Sequence, residues 1–182
     1  MKKTLMALVF SVFSVVLSYG QHYDLGDANL CVGIAPVSLL QGDTKMPVTG
    51  FTFSYGLFED TDNIAAGLFV GYGSSSDVTR NYSGDEFTWD YTYLFTAARG
   101  YYYLASGHSF HLYGAGTLGY QIVSSEYSTP HGVTQRDPKD DNAVVWGVHL
   151  GGRYYFNRLV GIFAEGGYGS MYAMNIGLSL RF

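Results

Sequence analysis

A glycine-rich segment near the middle of the chain has the spacing of a dinucleotide-binding motif. Residues Gly114 to Gly119 read G-x-G-x-x-G and follow the strand-like residues Phe110 to Tyr113. Such a segment holds a pyrophosphate when a helix begins directly after it, because the helix N-terminus binds the phosphates. From Tyr120 onwards the sequence continues as a strand. The segment therefore predicts glycines in a tightly curved sheet, and neither a cofactor nor a cofactor-binding residue is expected.

Two groups of histidines lie near residues that support catalysis or metal binding in other settings. His108 and His111 flank Ser109, and these are the residue types of a nucleophile and its general base, but they fall beside a short turn. His131 lies within ten residues of three aspartates, without the ordered ligand spacing of a calcium-binding loop. Both groups are interpreted as polar turn and loop residues, so no catalytic or metal-binding residue is assigned.

Glu165 is the acidic residue with the clearest chemical meaning, because its neighbours in sequence are apolar or small and have the pattern of a strand. A hairpin that pairs Phe156 with Val160 places Glu165 opposite Gly151, which leaves room for longer side chains. A carboxylate directed into a packed interior needs a cation or hydrogen-bond donors, since a lone buried charge is costly. Glu165 is therefore expected to have a partner on the same face of the sheet.

Three basic residues are predicted to share that inward face. Arg153 and His149 are the diagonal neighbours of Glu165 across the hairpin, and Arg99 approaches from the far side of the interior. Arg153 is the nearest expected cation, and it is charged at neutral pH. The predicted luminal polar network of Glu165, Arg153, His149 and Arg99 is either a structural salt bridge that braces the interior or a proton-sensitive gate.

The N-terminal residues 1–20 have the build of a cleavable signal peptide. Two lysines precede an almost wholly apolar run from Thr4 to Ser18. This run is shorter than the roughly 20 apolar residues that a membrane-spanning helix needs. Cys31 lies ten residues beyond the expected cut, so it is not placed for lipidation and is predicted to be a small buried residue. The mature chain, 21–182, is therefore expected to be exported.

The amino-acid composition excludes several classes of protein. Of the 182 residues, 14% are charged and 17% are aromatic, whereas soluble domains average about 25% charged residues. One cysteine cannot form a disulfide framework or a cysteine-rich zinc site. A formal charge of -5 gives no electrostatic basis for nucleic-acid binding. The length suits one domain, and the shortage of charge indicates a surface in contact with something other than water.

After residue 20 the dominant hydrophobic period is two, which predicts β-strands. From Tyr172 to Phe182, for example, every second residue is large and apolar. No stretch with a helical period separates the strands, so an all-β, antiparallel up-and-down sheet is expected, closed into a barrel without exposed edges. The eight predicted strands are 28–40, 47–58, 63–74, 87–104, 109–124, 142–156, 160–170 and 171–182.

The lengths of the connections predict that turns lie at one end of the barrel and loops at the other. Long polar connections over 75–86 and 125–141 alternate with short ones. An even number of strands places both termini at the turn end. The loop side chains predicted to make surface contacts are Arg80, Tyr82, Tyr127, His131 and Arg136.

The composition of the two strand faces predicts which face points outward. The less apolar face is mostly Gly, Ala, Ser and Thr, which is unsuited to a water-exposed exterior and suits the narrow interior of an eight-stranded barrel. Three strands carry aromatic residues ten positions apart on the apolar face. A strand tilted by about 40° advances about 26 Å along the barrel axis over this interval, close to the roughly 25 Å apolar band of membrane barrels. These aromatic pairs are Phe110 and Tyr120, Trp146 and Phe156, and Tyr172 and Phe182. The alternative hypothesis is a soluble barrel, in which the apolar face points inward and the polar face outward.

With a signal peptide, eight alternating strands and the ending Ile176–Phe182, the chain resembles small outer-membrane β-barrels of the OmpA/OmpX type, including the Gly- and Tyr-rich barrels of Bacteroidota-like bacteria. The resemblance covers 21–182. It implies a bacterial outer-membrane location, with membrane lipid and lipopolysaccharide around the barrel. It also implies that Phe182, with Leu180 and Leu178 before it, is the signal read by the barrel-assembly machinery.

The sequence favours a non-enzymatic membrane barrel with a structural or adhesion-like role, whose long loops contact an extracellular protein or glycan.

A small ion or solute pore with a luminal gate is the second hypothesis. It is disfavoured because four bulky residues are predicted to plug the lumen: Phe69, Tyr113, Tyr155 and Phe163. A barrel enzyme that modifies lipid A is the third hypothesis. It lacks an identifiable nucleophile and base at the outer end, since the serine between the histidines lies at the turn end.

Overall fold

The computed structural model describes residues 28–57, 63–80, 86–128, 134–137 and 142–182 of the chain. The expected signal peptide lies outside the described residues. No helix in the described ranges is long and apolar enough to cross a membrane. The strands in these ranges are β1 (Ala28–Ser38), β2 (Asp43–Gly56), β3 (Ile64–Arg80), β4 (Glu86–Ser106), β5 (Phe110–Ser128), β6 (Thr134–Asp137), β7 (Ala143–Tyr155), β8 (Val160–Gly169) and β9 (Tyr172–Arg181).

All of these strands except β6 form a closed antiparallel barrel of eight strands, as the sequence predicts. The hydrogen-bonded order is β4-β3-β2-β1-β9-β8-β7-β5, and β5 also pairs with β4 to close the ring. β1 and β9 form the seam between the two ends of the chain, in a register that pairs Asn29 with Arg181. Next to this ladder, the amide of Phe182 donates to the carbonyl of Ala28 at 2.9 Å. Each barrel strand therefore has two hydrogen-bonded neighbours, which leaves no open sheet edge.

The hairpins at the loop end contain more strand than the sequence predicts. β3 and β4 remain paired up to Arg80 and Glu86, where the sequence predicts a loop over 75–86. β5 runs to Ser128 and pairs there with the short strand β6, inside the predicted loop 125–141. Apolar alternation is the signal that reveals a strand in a sequence, and it fades in these segments because they extend beyond the packed interior.

Side-chain burial alternates along the barrel strands, with the large apolar side chains pointing outward. In β7, Val145 is 1% exposed, whereas its neighbours Val144 and Trp146 are 64% and 47% exposed. The predicted direction of the two faces is therefore confirmed. Aliphatic side chains cover the middle of the exterior, among them Val32, Ile34, Leu68, Val70, Leu118, Val148, Leu150, Ile162, Ile176 and Leu178.

Most exposed aromatic side chains lie in two bands on the exterior, one towards each end of the barrel. Phe51 and Phe53, which are 56% and 48% exposed, lie between the bands, where they pair with Val32 and Leu68. Two of the predicted pairs, ten residues apart, connect these bands: Phe110 with Tyr120, and Trp146 with Phe156. The turn-side belt consists of Tyr55, Tyr102, Phe110, Tyr154, Phe156 and Phe182, and the loop-side belt consists of Tyr72, Tyr120, Trp146 and Tyr168.

Tyr172 does not belong to the loop-side belt, contrary to the prediction from alternation. Its side chain is fully buried. Val37 pairs with Met174 while the next residue, Ser38, pairs with Tyr172, so β9 carries an extra residue at Ala173. Such a β-bulge shifts the alternation by one position. The bulge therefore turns Tyr172 into the lumen.

Two clusters of side chains fill the interior of the barrel. The loop-side core consists of Ala35, Val48, Phe69, Tyr93, Phe95, Ala97, Val123, Val145, Met171 and Tyr172. The tyrosine cluster, nearer the turn end, consists of Ala65, Tyr101, Tyr103, Tyr113 and Ala115. The four residues predicted to plug the lumen are all buried, the most exposed being Phe163 at 5%. The described part of the lumen is therefore packed.

Candidate functional site

The charged centre of the lumen is built on the hairpin that joins β7 to β8. The amide of Phe156 donates to the carbonyl of Val160 at 3.0 Å, and the ladder beyond this turn pairs Gly151 with Glu165. Both pairings follow the register predicted from the sequence. Glu165 is 4% exposed, so its carboxylate lies in the closed interior and depends on protein groups for stabilisation.

Three donors surround the carboxylate of Glu165. Nη2 of Arg99 on β4 lies 3.0 Å from Oε2, in a salt bridge between two buried side chains. The hydroxyl of Tyr113 on β5 donates to Oε1 at 2.8 Å, and the hydroxyl of Tyr172 on β9 lies 3.5 Å from Oε2. These contacts connect four strands across the lumen. A buried ion pair is tolerated under these conditions, because hydrogen bonds replace the lost hydration.

The nearest cation to Glu165 is Arg99, whereas the sequence predicts Arg153. Nη1 of Arg153 donates instead to the hydroxyl of Tyr103 at 3.0 Å. Its guanidinium carbon lies 4.7 Å from the centre of the Tyr113 ring, a distance at which the ring face attracts the cation. The side chain therefore turns towards the tyrosine cluster. Strand register identifies Arg153 as a neighbour of Glu165 but does not specify this rotation.

Tyr101 lies between the two buried cations of the lumen. The guanidinium carbons of Arg99 and Arg153 are 5.2 Å and 5.3 Å from the centre of its ring. The luminal tyrosines are thus part of the charged centre, although the sequence prediction of the network omits them. The sequence does contain a pattern that places these tyrosines in the lumen, because strict alternation from Arg99 along β4 puts Tyr101 and Tyr103 on the same face.

The two luminal histidines have different surroundings. His149, predicted as part of the network, is buried, and its Nε2 lies 3.2 Å from the carbonyl oxygen of Tyr172. Its ring centre is 4.8 Å from that of Tyr172, so His149 contacts the network through this tyrosine. His111 is also buried, which corrects its interpretation as a solvated turn residue. Its Nε2 lies 3.3 Å from Nη1 of Arg181.

The glycine opposite Glu165 provides space that the network requires. A Cβ atom at Gly151 falls 2.7 Å from Cζ of Tyr113 and 2.8 Å from Cγ of Glu165. At Gly152, which points outward, the nearest atom to such a Cβ is Cε2 of Phe110 at 3.5 Å, an ordinary contact. We expect Gly151→Ala to destabilise the barrel by about 1–3 kcal/mol through overpacking.

Gly152→Ala is the matched control for this substitution, because it makes the same chemical change one residue away. Urea unfolding of the detergent-folded barrels, followed by heat-modified gel mobility, measures the difference. Equal unfolding midpoints for the two variants would show that Gly151 is not needed to accommodate the network.

The remaining predicted residues are placed as follows. The G-x-G-x-x-G segment lies entirely within β5, and no helix begins there, so the requirement of a dinucleotide site is not met. Cys31 is 3% exposed, in agreement with its predicted burial. Within the described ranges, no group of three His, Cys, Asp or Glu side chains is placed to hold a metal ion. Tyr82 and His131 lie outside the described residues.

The other three predicted surface residues are described by their backbone only. Arg80 ends β3, Tyr127 lies near the end of β5, and Arg136 pairs with Glu126 in β6. All three therefore lie in the paired segments beyond the barrel at the loop end. Their role in surface contacts stays a prediction.

Comparison with solved structures identifies the fold. The N-terminal β-barrel domain of Pseudomonas aeruginosa OprF is 15% identical, with a TM-score of 0.53 over 87% of this chain and 98% of that domain. Ail, the attachment invasion locus protein of Yersinia pestis, crystallised with the heparin analogue sucrose octasulfate, is 15% identical, with a TM-score of 0.49 over 86% of this chain and 96% of that chain. No family model and no curated protein matches the sequence. The likeness to the OprF domain concerns the fold, which is the small eight-stranded barrel of the OmpA/OmpX type.

Proposed function

We propose that the protein is a non-enzymatic integral barrel of the bacterial outer membrane, with a structural or surface-interaction role. The observation that carries the proposal is the exterior, where large apolar side chains are exposed in a band between two aromatic belts. Leu68 and Leu150 are 65% and 52% exposed in the middle of this band. An apolar band about 25 Å tall between aromatic girdles is the surface of a membrane barrel, and such a surface is unfavourable in water.

The packed lumen favours a structural or surface role over a pore. The loop-side core and the tyrosine cluster occupy successive levels of the lumen. The buried ion pair of Arg99 and Glu165 also lies in the lumen. A channel requires a continuous water-filled path. We therefore expect the purified protein to show no stable conductance steps in planar bilayers, and regular steps would favour the pore hypothesis.

The chemistry of the described residues also favours a non-enzymatic role. His108 and Ser109 are exposed at the turn end, which is the periplasmic end in the proposed orientation. A nucleophile and base for lipid A need to reach the outer leaflet instead. Lipid A that is unchanged in mass spectra when the gene is deleted is the result expected for a non-enzymatic barrel.

Residues 1–20 are proposed to act as the export signal and Phe182 as the assembly signal. Phe182 is 66% exposed in the turn-side belt, while its backbone closes the seam with Ala28. Phe182→Ser retains the backbone but removes the aromatic ring. We expect export to continue while the amount of barrel in the outer membrane falls several-fold.

Sucrose-gradient fractionation of cell envelopes measures both the location and the effect of this substitution. The intact protein is expected in the outer-membrane fraction, in a form whose gel mobility changes on heating. Leu159→Ser, at an exposed position of the nearby turn, is the control for loss of a surface apolar group. Recovery of the intact protein in the soluble periplasmic fraction would overturn the proposed function.

A further inference from the structure

A cavity of about 450 Å³ opens at the loop end of the barrel, and we name it the outer cup. Its lining includes Trp89, Tyr91 and Tyr93 on β4, together with Gln121 and Ser125 on β5. Tyr93 and other residues of the lining also belong to the loop-side core. The cup is therefore closed at its base, and a solute that enters it has no path through the barrel.

One wall of the outer cup is aromatic from its mouth to its base. The ring centres of Tyr91 and Tyr93 are 6.4 Å apart. The ring of Tyr93 stacks on Phe95 at 6.1 Å with an interplanar angle of 5°. Polar side chains lie beside these rings, because Tyr91 pairs with Ser125 and Phe95 with Gln121 across the β4–β5 ladder. The wall thus offers ring faces and hydrogen-bonding groups together.

Among the residues that the structure describes, the lining of the outer cup contains no charged side chain. A charged ligand that entered it would lose hydration without gaining an ionic partner, which is costly. An uncharged ligand with apolar faces and several hydroxyl or amide groups matches the lining. Its volume falls in the range of small-molecule sites, which combine aromatic walls with a few placed polar groups.

We propose that the outer cup binds one end of a neutral glycan, a chain of uncharged sugar residues. The C–H faces of a sugar ring pack on the aromatic side chains Trp89 and Tyr91, above the buried ring of Tyr93 at the base of the cup. Its hydroxyl or acetamido groups exchange hydrogen bonds with the amide of Gln121 and the hydroxyl of Ser125. Tyrosine and tryptophan suit such contacts because each combines a large apolar ring with a polar group.

The height of the outer cup favours a water-borne ligand over a lipid chain. Ser125 lies five residues beyond Tyr120 of the loop-side belt, which is an advance of about 13 Å along the barrel axis for a strand tilted by about 40°. Its location on the cell surface rests on the proposed function, but glycan binding by the purified protein does not. Failure of the binding experiment is therefore distinguishable from failure of the proposed location.

The two tryptophans of the chain allow a direct binding measurement. Trp89 lines the outer cup, and Trp146 lies outside in the loop-side belt. Trp146→Phe leaves Trp89 as the sole tryptophan reporter. Detergent-folded protein with this substitution is titrated with maltotriose and with triacetylchitotriose, while a sulfated disaccharide and a capped trialanine peptide serve as comparators. We expect a saturable change in tryptophan emission with at least one neutral trisaccharide and none with the comparators.

Variants of the lining test whether the signal arises in the outer cup. Gln121→Leu and Tyr91→Ala are each expected to weaken binding at least about tenfold, the effect of losing one good contact. Tyr120→Leu, adjacent to Gln121 but 46% exposed on the exterior, is expected to leave binding unchanged. Heat-modified gel mobility checks that each variant is folded. A response to the sulfated or peptide probe alone, no response to either trisaccharide, or unchanged binding in both lining variants would overturn the proposal.

Discussion

Replacing Arg99 with leucine is expected to destabilise the barrel by about 3–5 kcal/mol, the usual cost of removing one partner of a buried ion pair. Arg99 is the cation in salt-bridge contact with Glu165, at 3.0 Å, and both side chains are buried. Without it the carboxylate retains the hydroxyl of Tyr113 and the more distant hydroxyl of Tyr172. Neutral donors replace only part of the stabilisation that a guanidinium provides.

The double variant Arg99→Leu with Glu165→Gln is expected to recover much of this loss, because it removes the unpaired charge as well as its partner. Arg153→Leu is the control for loss of a buried guanidinium. Arg153 is held by Tyr103 and by two ring faces, so its removal leaves the ion pair intact and is expected to cost less. Urea unfolding in detergent measures all three variants.

Two results would contradict this account of the lumen. If Arg99→Leu and the double variant unfold at the same urea concentration, an uncompensated carboxylate is not the source of the instability. If Arg153→Leu is the more damaging single substitution, the predicted pairing of Arg153 with Glu165 describes the folded barrel better than the observed pairing with Arg99.

Leu178→Arg is expected to destabilise the barrel in a lipid bilayer by about 2–4 kcal/mol, the cost of arginine on the lipid face near the midplane. Leu178 is 58% exposed and lies midway along β9, where it pairs with Val32 and Ile162. Its side chain therefore belongs to the aliphatic band between the two belts. Folding titrations in phospholipid vesicles at a series of urea concentrations measure the change.

Tyr168→Arg is the matched control, because it introduces the same charge on the exterior at a different depth. Tyr168 is 70% exposed and belongs to the loop-side belt, where an arginine is expected to cost about 0–1 kcal/mol. The proposed location in a membrane predicts this dependence on depth. Equal and small effects at both positions would contradict the placement of Leu178 near the middle of a bilayer.

Most of the barrel wall is predictable from the sequence because one physical rule governs it. Each strand faces two different environments, so its residues alternate, and the alternation identifies both the strands and their outward face. The register of the β7–β8 hairpin is predictable for a related reason. Its turn is short, so the pairing of Phe156 with Val160 determines the position of Glu165 opposite Gly151.

The contacts across the lumen are less predictable, because they depend on features that alternation does not contain. The bulge at Ala173 reverses the direction of Tyr172, and no residue type marks it in advance. The choice of Arg99 over Arg153 depends on how the closed ring aligns β4 with β8, which are not neighbours in the sheet. The outer cup is harder still to predict, since its lining comes from segments that are far apart in the sequence.

The seam between β1 and β9 has a consequence for how the chain folds. Asn29 and Arg181 come from opposite ends of the sequence, and their pairing is what closes the ring. Contacts of such long sequence separation form slowly, since the entropy of a large loop is lost before the contact is gained. Until the final strand arrives, β1 presents an unpaired edge that other chains can join. Closure of the seam is thus expected to come late in folding, and until then the open edge of β1 exposes the chain to association with other chains.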